Sequence, residues 1–143
     1  MRRMSEFERC LRERRLIKAE PDPRAIRKEL ETAGYDLASA EESLADDDFK
    51  WASVQAYYSM FHASKALVLK KGYREKSHAC LLIALRELYV KAKELDKRYA
   101  DDLELCMDMR HEADYAMTYD EESARIAARK ASGFLAQAKE ILG

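Results

Sequence analysis

Between Trp51 and Ser64 the chain carries no Asp, Glu, Lys or Arg, although 37% of its 143 residues are charged. The enclosing segment, Phe49 to Leu69, reads FKWASVQAYYSMFHASKALVL. A helix apolar nearly all round belongs in the middle of a bundle. On a helical wheel Val54, Tyr57, Met60, Phe61 and Val68 share one side. Ala52, Ala56, Ala63 and Ala66 gather on another, where a neighbouring backbone can come close. Between them runs a thin polar stripe of Gln55, Ser59 and His62 at i, i+4, i+7. Buried polar groups cost free energy unless paired, so the stripe either meets partners or lines a groove.

The rest of the chain reads as helices that cover this one. Four Gly, two Pro and abundant helix formers favour helix over strand, and no window alternates with period two for long. A first helix is expected from about Ser5 to Lys18, with a narrow stripe of Met4, Phe7 and Leu11. Pro21 and Pro23 end it, and Asp22 caps the next, with Pro23 in its first turn. That second helix, about Pro23 to Ala45, repeats Ile26, Leu30, Ala33, Leu37, Ala40 and Leu44 in steps of four and three, a seam for antiparallel packing. Gly34 within it is expected to mark a close contact with the central helix. One of Asp46, Asp47 and Asp48 caps the central helix, which ends at Lys70-Lys71-Gly72. Ser77 caps a fourth helix, about His78 to Leu95. A fifth runs from about Lys97 to Tyr115. A sixth, about Glu121 to Leu142, is the clearest amphipath, with Thr118 and Glu121 as a capping box. The expected architecture is all-α: an up-and-down antiparallel bundle of four to five helices over residues 21–143, plus an extra N-terminal helix over 1–20.

Composition narrows the function classes. Net charge is −1 and the pI about 6.3, so no global field draws the chain to nucleic acid or anionic lipid. Charge is uneven, however. Residues 1–29 hold ten Lys/Arg against six Asp/Glu, and residues 30–49 hold seven acidic side chains and no basic ones. Cys10, Cys80 and Cys106 are far apart without metal-ligand spacing, which implies a reducing compartment and thiols packed as small apolar groups. No metal or cofactor is implied. The basic N-terminus has no following apolar core, and the uncharged run is too short and too polar for a bilayer, so a cytoplasmic, non-membrane protein is expected.

Arg110 takes a seam position where its helix otherwise places apolar side chains. Arginine is almost never buried unpaired. One reading is an i,i+4 bridge to Asp114 that orders the helix, with His111 and Tyr115 beside it. The other is a guanidinium facing a groove and available for phosphate. His62 reads as a core histidine or, with Gln55 and Ser59, as a groove lining. His78, at a helix start beside Lys70, Lys71, Arg74 and Lys76, reads as a cap neighbour or an anion site, where Tyr73 could stack a base. Glu75 and His78 form one Glu-x-x-His without a second copy, against a di-iron bundle. There is no phosphate-binding Gly loop, no His-Glu-x-x-His and no nucleophile elbow.

The run AYYSMFHASKALVLKKGYREKSH (Ala56 to His78) and RHEADY (Arg110 to Tyr115) resemble the HEPN family, the "higher eukaryotes and prokaryotes nucleotide-binding" domains. The likeness spans about Ile26 to Leu142. The resemblance implies a helical bundle that forms a two-fold dimer. It also implies a minimal nucleotidyltransferase partner, and in some pairs a toxin that is a metal-independent RNase using Arg-x(4–6)-His. Here that motif is not intact: positions 115, 116 and 117 are Tyr, Ala and Met, and His111 is adjacent to Arg110. The resulting expectation is a nucleotide- or RNA-phosphate-binding component of a toxin–antitoxin-type pair, not an efficient nuclease. Its binding residues would be Arg110, His111, Asp114, Tyr115, His62, Gln55, Ser59, Tyr73, Arg74 and His78. The alternatives are an RNase toxin using Arg110 with a histidine such as His111 or His62, and a purely structural dimeric adaptor.

Overall fold

The computed structural model describes residues 3–116 and 120–143, with the side chains of 112–116 outside the description. Its elements are α1 (Glu6–Arg12), β1 (Leu16–Lys18), α2 (Pro23–Ala45), α3 (Phe49–Lys70), β2 (Tyr73–Glu75), α4 (His78–Leu85), α5 (Lys97–Ala116) and α6 (Glu121–Leu142). A π-helical turn, Arg86–Val90, follows α4 directly. The protein is an all-α bundle with one two-stranded ribbon.

α3 is the central rod. Fourteen of its residues are buried, among them Tyr57, Met60, Leu67 and Val68. Its alanines and those of α2 are fully enclosed at Ala33, Ala40, Ala52, Ala56, Ala63 and Ala66. Small residues on both sides of the seam let the two helices of this hairpin lie close. α6 lays Ala127, Ala131, Phe134, Leu135 and Ala138 into the same core. Leu103 and Cys106 of α5 close it from another side, and burial pushes the Cys106 thiol up to about 12. Gly34 marks no close approach: a Cβ there would meet nothing within 4 Å.

The expected caps are present at Asp22, Asp48 and Ser77, whose side chains accept from the N–H groups of Arg24, Trp51 and Cys80. α6 is capped by Asp120, which accepts from Ser123 at 2.7 Å. The capping box expected at Thr118 lies outside the described residues. The fourth helix is shorter than its periodicity implied. The α-helix stops at Leu85, and the wider π turn swings Tyr89 inward, where its hydroxyl donates to the Leu67 carbonyl at 2.6 Å.

The N-terminal segment differs most from expectation. Its helix stops at Arg12. Arg14 adopts φ +58 and the chain reverses into β1, which pairs antiparallel with β2 in the register Leu16–Glu75, Ile17–Arg74, Lys18–Tyr73. Two more backbone bonds extend the ladder, Lys76 N–H to Arg15 O at 2.8 Å and Ala19 N–H to Gly72 O at 2.9 Å. Gly72 makes the turn into β2 with φ +89, a conformation that suits a residue without Cβ. This ribbon sets α1 against α4, and Cys10 and Cys80 form a disulfide with a Cα–Cα separation of 5.9 Å. Only Cys106 is a free, buried thiol. Free thiols at positions 10 and 80 were expected because a separation of 70 residues hides the pairing that the ribbon creates.

Candidate functional site

The polar stripe of α3 meets partners on α2. The Gln55 amide and the Ser43 hydroxyl are 2.7 Å apart. With its nitrogen turned to α2, Gln55 also donates to the carbonyls of Ser39 and Trp51, each at 3.0 Å. Ser59 Oγ, fully buried, donates to the Ala33 carbonyl at 2.8 Å. His62 Nδ1 lies 2.7 Å from Glu29 Oε2, and its Nε2 lies 3.9 Å from Asp36 Oδ2. Burial works to raise the Glu29 carboxyl, but the His62 hydrogen bond and the Lys65 charge outweigh it and hold Glu29 below its usual range. Asp36 goes the other way: burial raises it, and His62 offsets only part.

A different set of side chains converges where α3, the start of α4 and the end of α5 meet. Ser77 fixes the first turn of α4 and so delivers His78 onto α3. The imidazole lies over Phe61, ring centroids 4.3 Å apart, and its Nδ1 is 2.6 Å from the Tyr57 hydroxyl. Tyr58 meets the same imidazole edge-on at 6.4 Å. Arg110 of α5 brings its guanidinium carbon to 5.3 Å from the Tyr58 ring centre and 5.8 Å from that of Tyr57. Cation–π attraction and stacking make such faces a good seat for arginine.

The electrostatics follow from this crowding. Burial, then the positive charges of Arg110 and Lys65, push the His78 pKa below its ordinary value. Burial raises the Tyr57 phenol well above its own, with Arg110 opposing. At neutral pH the pair is therefore a neutral imidazole and a neutral phenol sharing one hydrogen bond. In the tautomer whose Nδ1–H donates to the Tyr57 oxygen, Nε2 is the ring nitrogen that can take a proton. An arginine on an aromatic floor beside a neutral imidazole can hold an anion and accept a proton near it.

Phe61 links this cluster to a second one. Lys65 Nζ is 5.5 Å from the Phe61 ring centre, 3.4 Å from Glu29 Oε1 and 3.8 Å from Glu75 Oε1. A cavity of about 290 Å³ opens beside it, lined by Glu29, Lys65, Tyr73, Arg74 and Glu75 over Val68, Leu69 and Leu81. Burial raises the Glu75 carboxyl despite Lys65, and Glu29 adds to the rise.

The sequence candidates thus fall in separate places. Arg110 and His78 come together. Gln55, Ser59 and His62 face α2. Tyr73 packs edge-on against Phe7 at 5.6 Å, and Arg74 is exposed on the ribbon. His111 is exposed beside Arg110 on α5. The side chains of Asp114 and Tyr115 lie outside the described residues. Sequence reasoning passed over Tyr57, Tyr58, Phe61 and Lys65 as site residues. Their signal was the adjacent tyrosines with Phe61 four residues beyond the first, an aromatic face too rich for alanine-lined packing alone. Among the described residues no cluster of His, Cys, Asp and Glu could hold a metal ion, and no helix is long and apolar enough to cross a membrane.

Comparison with known proteins adds relatives. The family model described as HEPN domain matches residues 26–142. A Methanocaldococcus jannaschii protein named "Putative toxin" is 30% identical over 121 residues, covering 83% of this chain and 82% of its own length. A second protein of that organism with the same designation is 27% identical, covering 79% of this chain and 85% of its own. A Thermotoga maritima protein named "UPF0332 protein" is 27% identical, covering 74% and 82%.

Proposed function

The chain belongs to the HEPN domain family, and from that premise we propose that it binds RNA or nucleotide phosphate at Arg110, beside His78 and Tyr57, as the toxin-type member of a toxin–antitoxin pair. The observation that carries the reading is Arg110 seated on Tyr57 and Tyr58 next to a neutral imidazole. A structural bridge alone would not call for two tyrosine rings under the same cation with a histidine beside them. The toxin designation of two relatives supports the toxin-type part. Pairing with a minimal nucleotidyltransferase and self-association as a two-fold dimer rest on the family resemblance.

A second reading, metal-independent RNA cleavage, is favoured by one specific finding. His78, at the start of α4, lies close enough to feel the Arg110 charge, and in this reading it takes the place of the imidazole missing four to six residues after Arg110. In that reaction His78 removes the proton of a ribose 2′-hydroxyl and the 2′-oxygen attacks the adjacent phosphorus. The bond from phosphorus to the 5′-oxygen breaks, that oxygen takes a proton from water, and a 2′,3′-cyclic phosphate remains. Arg110 offsets the charge that builds on the phosphoryl oxygens.

One experiment addresses both readings. Single-stranded RNA is titrated with the wild type, Arg110→Ala and His78→Ala in the presence of a metal chelator, and the products are sized. Binding lost in Arg110→Ala supports the phosphate site. Cyclic-phosphate products lost in His78→Ala establish cleavage. Absence of any affinity for RNA or nucleotides overturns both and leaves a structural adaptor.

A further inference from the structure

We propose that the solvent face of the β1–β2 ribbon is a docking track for the phosphate backbone of a single RNA strand, leading toward His78. The inference rests on the phosphate-binding reading above but draws one of its three cations, Arg15, from outside the matched residues 26–142.

The ribbon register places the side chains. Residues two apart on a strand share a face, and cross-strand partners share it too. Leu16, Glu75 and Tyr73 turn inward, with Leu16 fully buried and Tyr73 against Phe7. The opposite face therefore carries Ile17 with its partner Arg74. By the ladder bond from Lys76 to the Arg15 carbonyl, it also carries Arg15 beside Lys76. Three of these four positions are cations, and all three are exposed. Among the described residues Arg74 and Lys76 form no ion pair, and Arg15 has only its exposed neighbour Glu13, at 2.9 Å.

This arrangement works against the fold. Like charges directly opposite each other on paired strands destabilise the pair, and Arg15 opposite Lys76 is such a contact, with Arg74 on the same face. A protein with net charge −1 has carboxylates to spare for this surface. Instead the only carboxylate of β2, Glu75, points inward to Lys65. Three cations sharing one face with a single paired carboxylate, that of Glu13 on Arg15, suit an external polyanion. The face is also held rigid, since the Cys10–Cys80 disulfide ties the strand-bearing segment to α4. Lys76 is two residues from His78, so their Cα atoms lie within about 7 Å of each other. A strand lying on the ribbon thus arrives at the start of α4.

The test measures binding of a labelled 20-nucleotide oligouridylate across a salt series, for the wild type, Arg110→Ala and the triple variant Arg15→Gln/Arg74→Gln/Lys76→Gln. Each phosphate contact to a single strand contributes about 0.7 to the slope of log affinity against log salt. The triple variant is expected to lower the magnitude of that slope by about 2, to weaken binding about tenfold or more near 0.1 M salt, and to melt at the same temperature or higher. A slope unchanged from the wild type overturns the proposal. So does a lower melting temperature with unchanged RNA binding, which would give these cations a structural task. A change in assembly size without a change in RNA binding would make the face a protein contact and overturn it as well. If Arg110→Ala weakens binding while the triple variant leaves the slope intact, the ribbon track falls alone. If the wild type binds no RNA even at low salt, both readings fall.

Discussion

On the face of α3 turned to α2, every polar side chain ends on a partner at hydrogen-bonding distance: Gln55 on Ser43, Ser59 on the Ala33 carbonyl, His62 on Glu29. On the face turned to α4 and α5 the same helix offers aromatic rings, and the imidazole and guanidinium against them arrive from elsewhere in the chain. The first arrangement satisfies buried polar atoms and fixes the register of a hairpin. The second holds an arginine half-exposed and keeps a histidine neutral, an arrangement that adds little to a core and that the proposed function reads as a seat for phosphate. One helix thus separates a structural polar seam from a candidate chemical one. What tells them apart is not residue type, since both contain a histidine, but surroundings: backbone and side-chain hydrogen-bond partners on α2 in one case, aromatic rings under a guanidinium in the other.

The largest expected effect breaks one side of this contrast and spares the other. The disulfide closes a loop of 70 residues. In the chain-entropy account its loss costs about 4 kcal/mol. In Cys10→Ala/Cys80→Ala, denaturant unfolding should shift by up to that amount. Amide exchange should rise across β1, β2 and the first turn of α4, while α2 and the middle of α3 stay protected. Equal loosening of the α2–α3 seam would show that the two faces are not independent.

Next in size is Arg110→Ala. Charge-assisted hydrogen bonds to phosphate are worth about 1.5–3 kcal/mol, so RNA affinity should fall roughly 10- to 100-fold. Unfolding free energy should change by less than about 1 kcal/mol, because the guanidinium sits on rings at the edge of the core. Calorimetric unfolding beside RNA titration separates the two quantities. A large stability loss with unchanged affinity would return Arg110 to the structural side.

Ser59→Ala is the converse probe. It removes a buried hydrogen bond, but the Ala33 carbonyl sits within a helix that already uses it. The expected cost is about 1 kcal/mol of stability, read from the urea midpoint, with RNA affinity unchanged. A loss of affinity would mean that the seam with α2 transmits to the cleft.

How much of this was visible in the sequence depends on the range of the interaction. The central helix, the α2 seam and the caps at Asp22, Asp48 and Ser77 follow from spacing within one or two turns, and local pattern reveals them. The uncharged run alone placed α3 in the core. Arg110 stood out because it breaks a periodicity. What stayed hidden depends on pairs distant in the chain. β1 and β2 are three residues each and 55 positions apart, too short to show alternation. The Cys10–Cys80 bond depends on them. The α2-facing stripe was legible as polar, with partners and groove left open, because Ala33, Ser43 and Glu29 carry no sign of which helix they will meet. His78 looked like a cap neighbour, since nothing local says that Ser77 aims it at Phe61 and Tyr57.

The smallest effect, and the one that tests the contrast most directly, is its pH dependence. His78 has a depressed folded-state pKa, caused by burial and then by Arg110 and Lys65, and it also faces the Tyr57 hydroxyl. An unfolded chain then binds a proton near pH 6.5 that the folded one refuses until lower pH. Its contribution to stability is fully present above about 6.5 and is lost as pH falls through the lowered value. Glu29, also depressed in the folded state, contributes above its usual 4.5 and loses that contribution only as pH falls further. The two faces should therefore weaken in separate windows, the cleft first and the α2 seam later. Urea midpoints measured from pH 8 to pH 3.5 should show both steps in the wild type. His78→Gln should flatten the upper step alone, and Glu29→Gln the lower one alone. A single merged transition, or an upper step untouched by His78→Gln, would mean that the neutral imidazole is not what distinguishes the cleft from the seam.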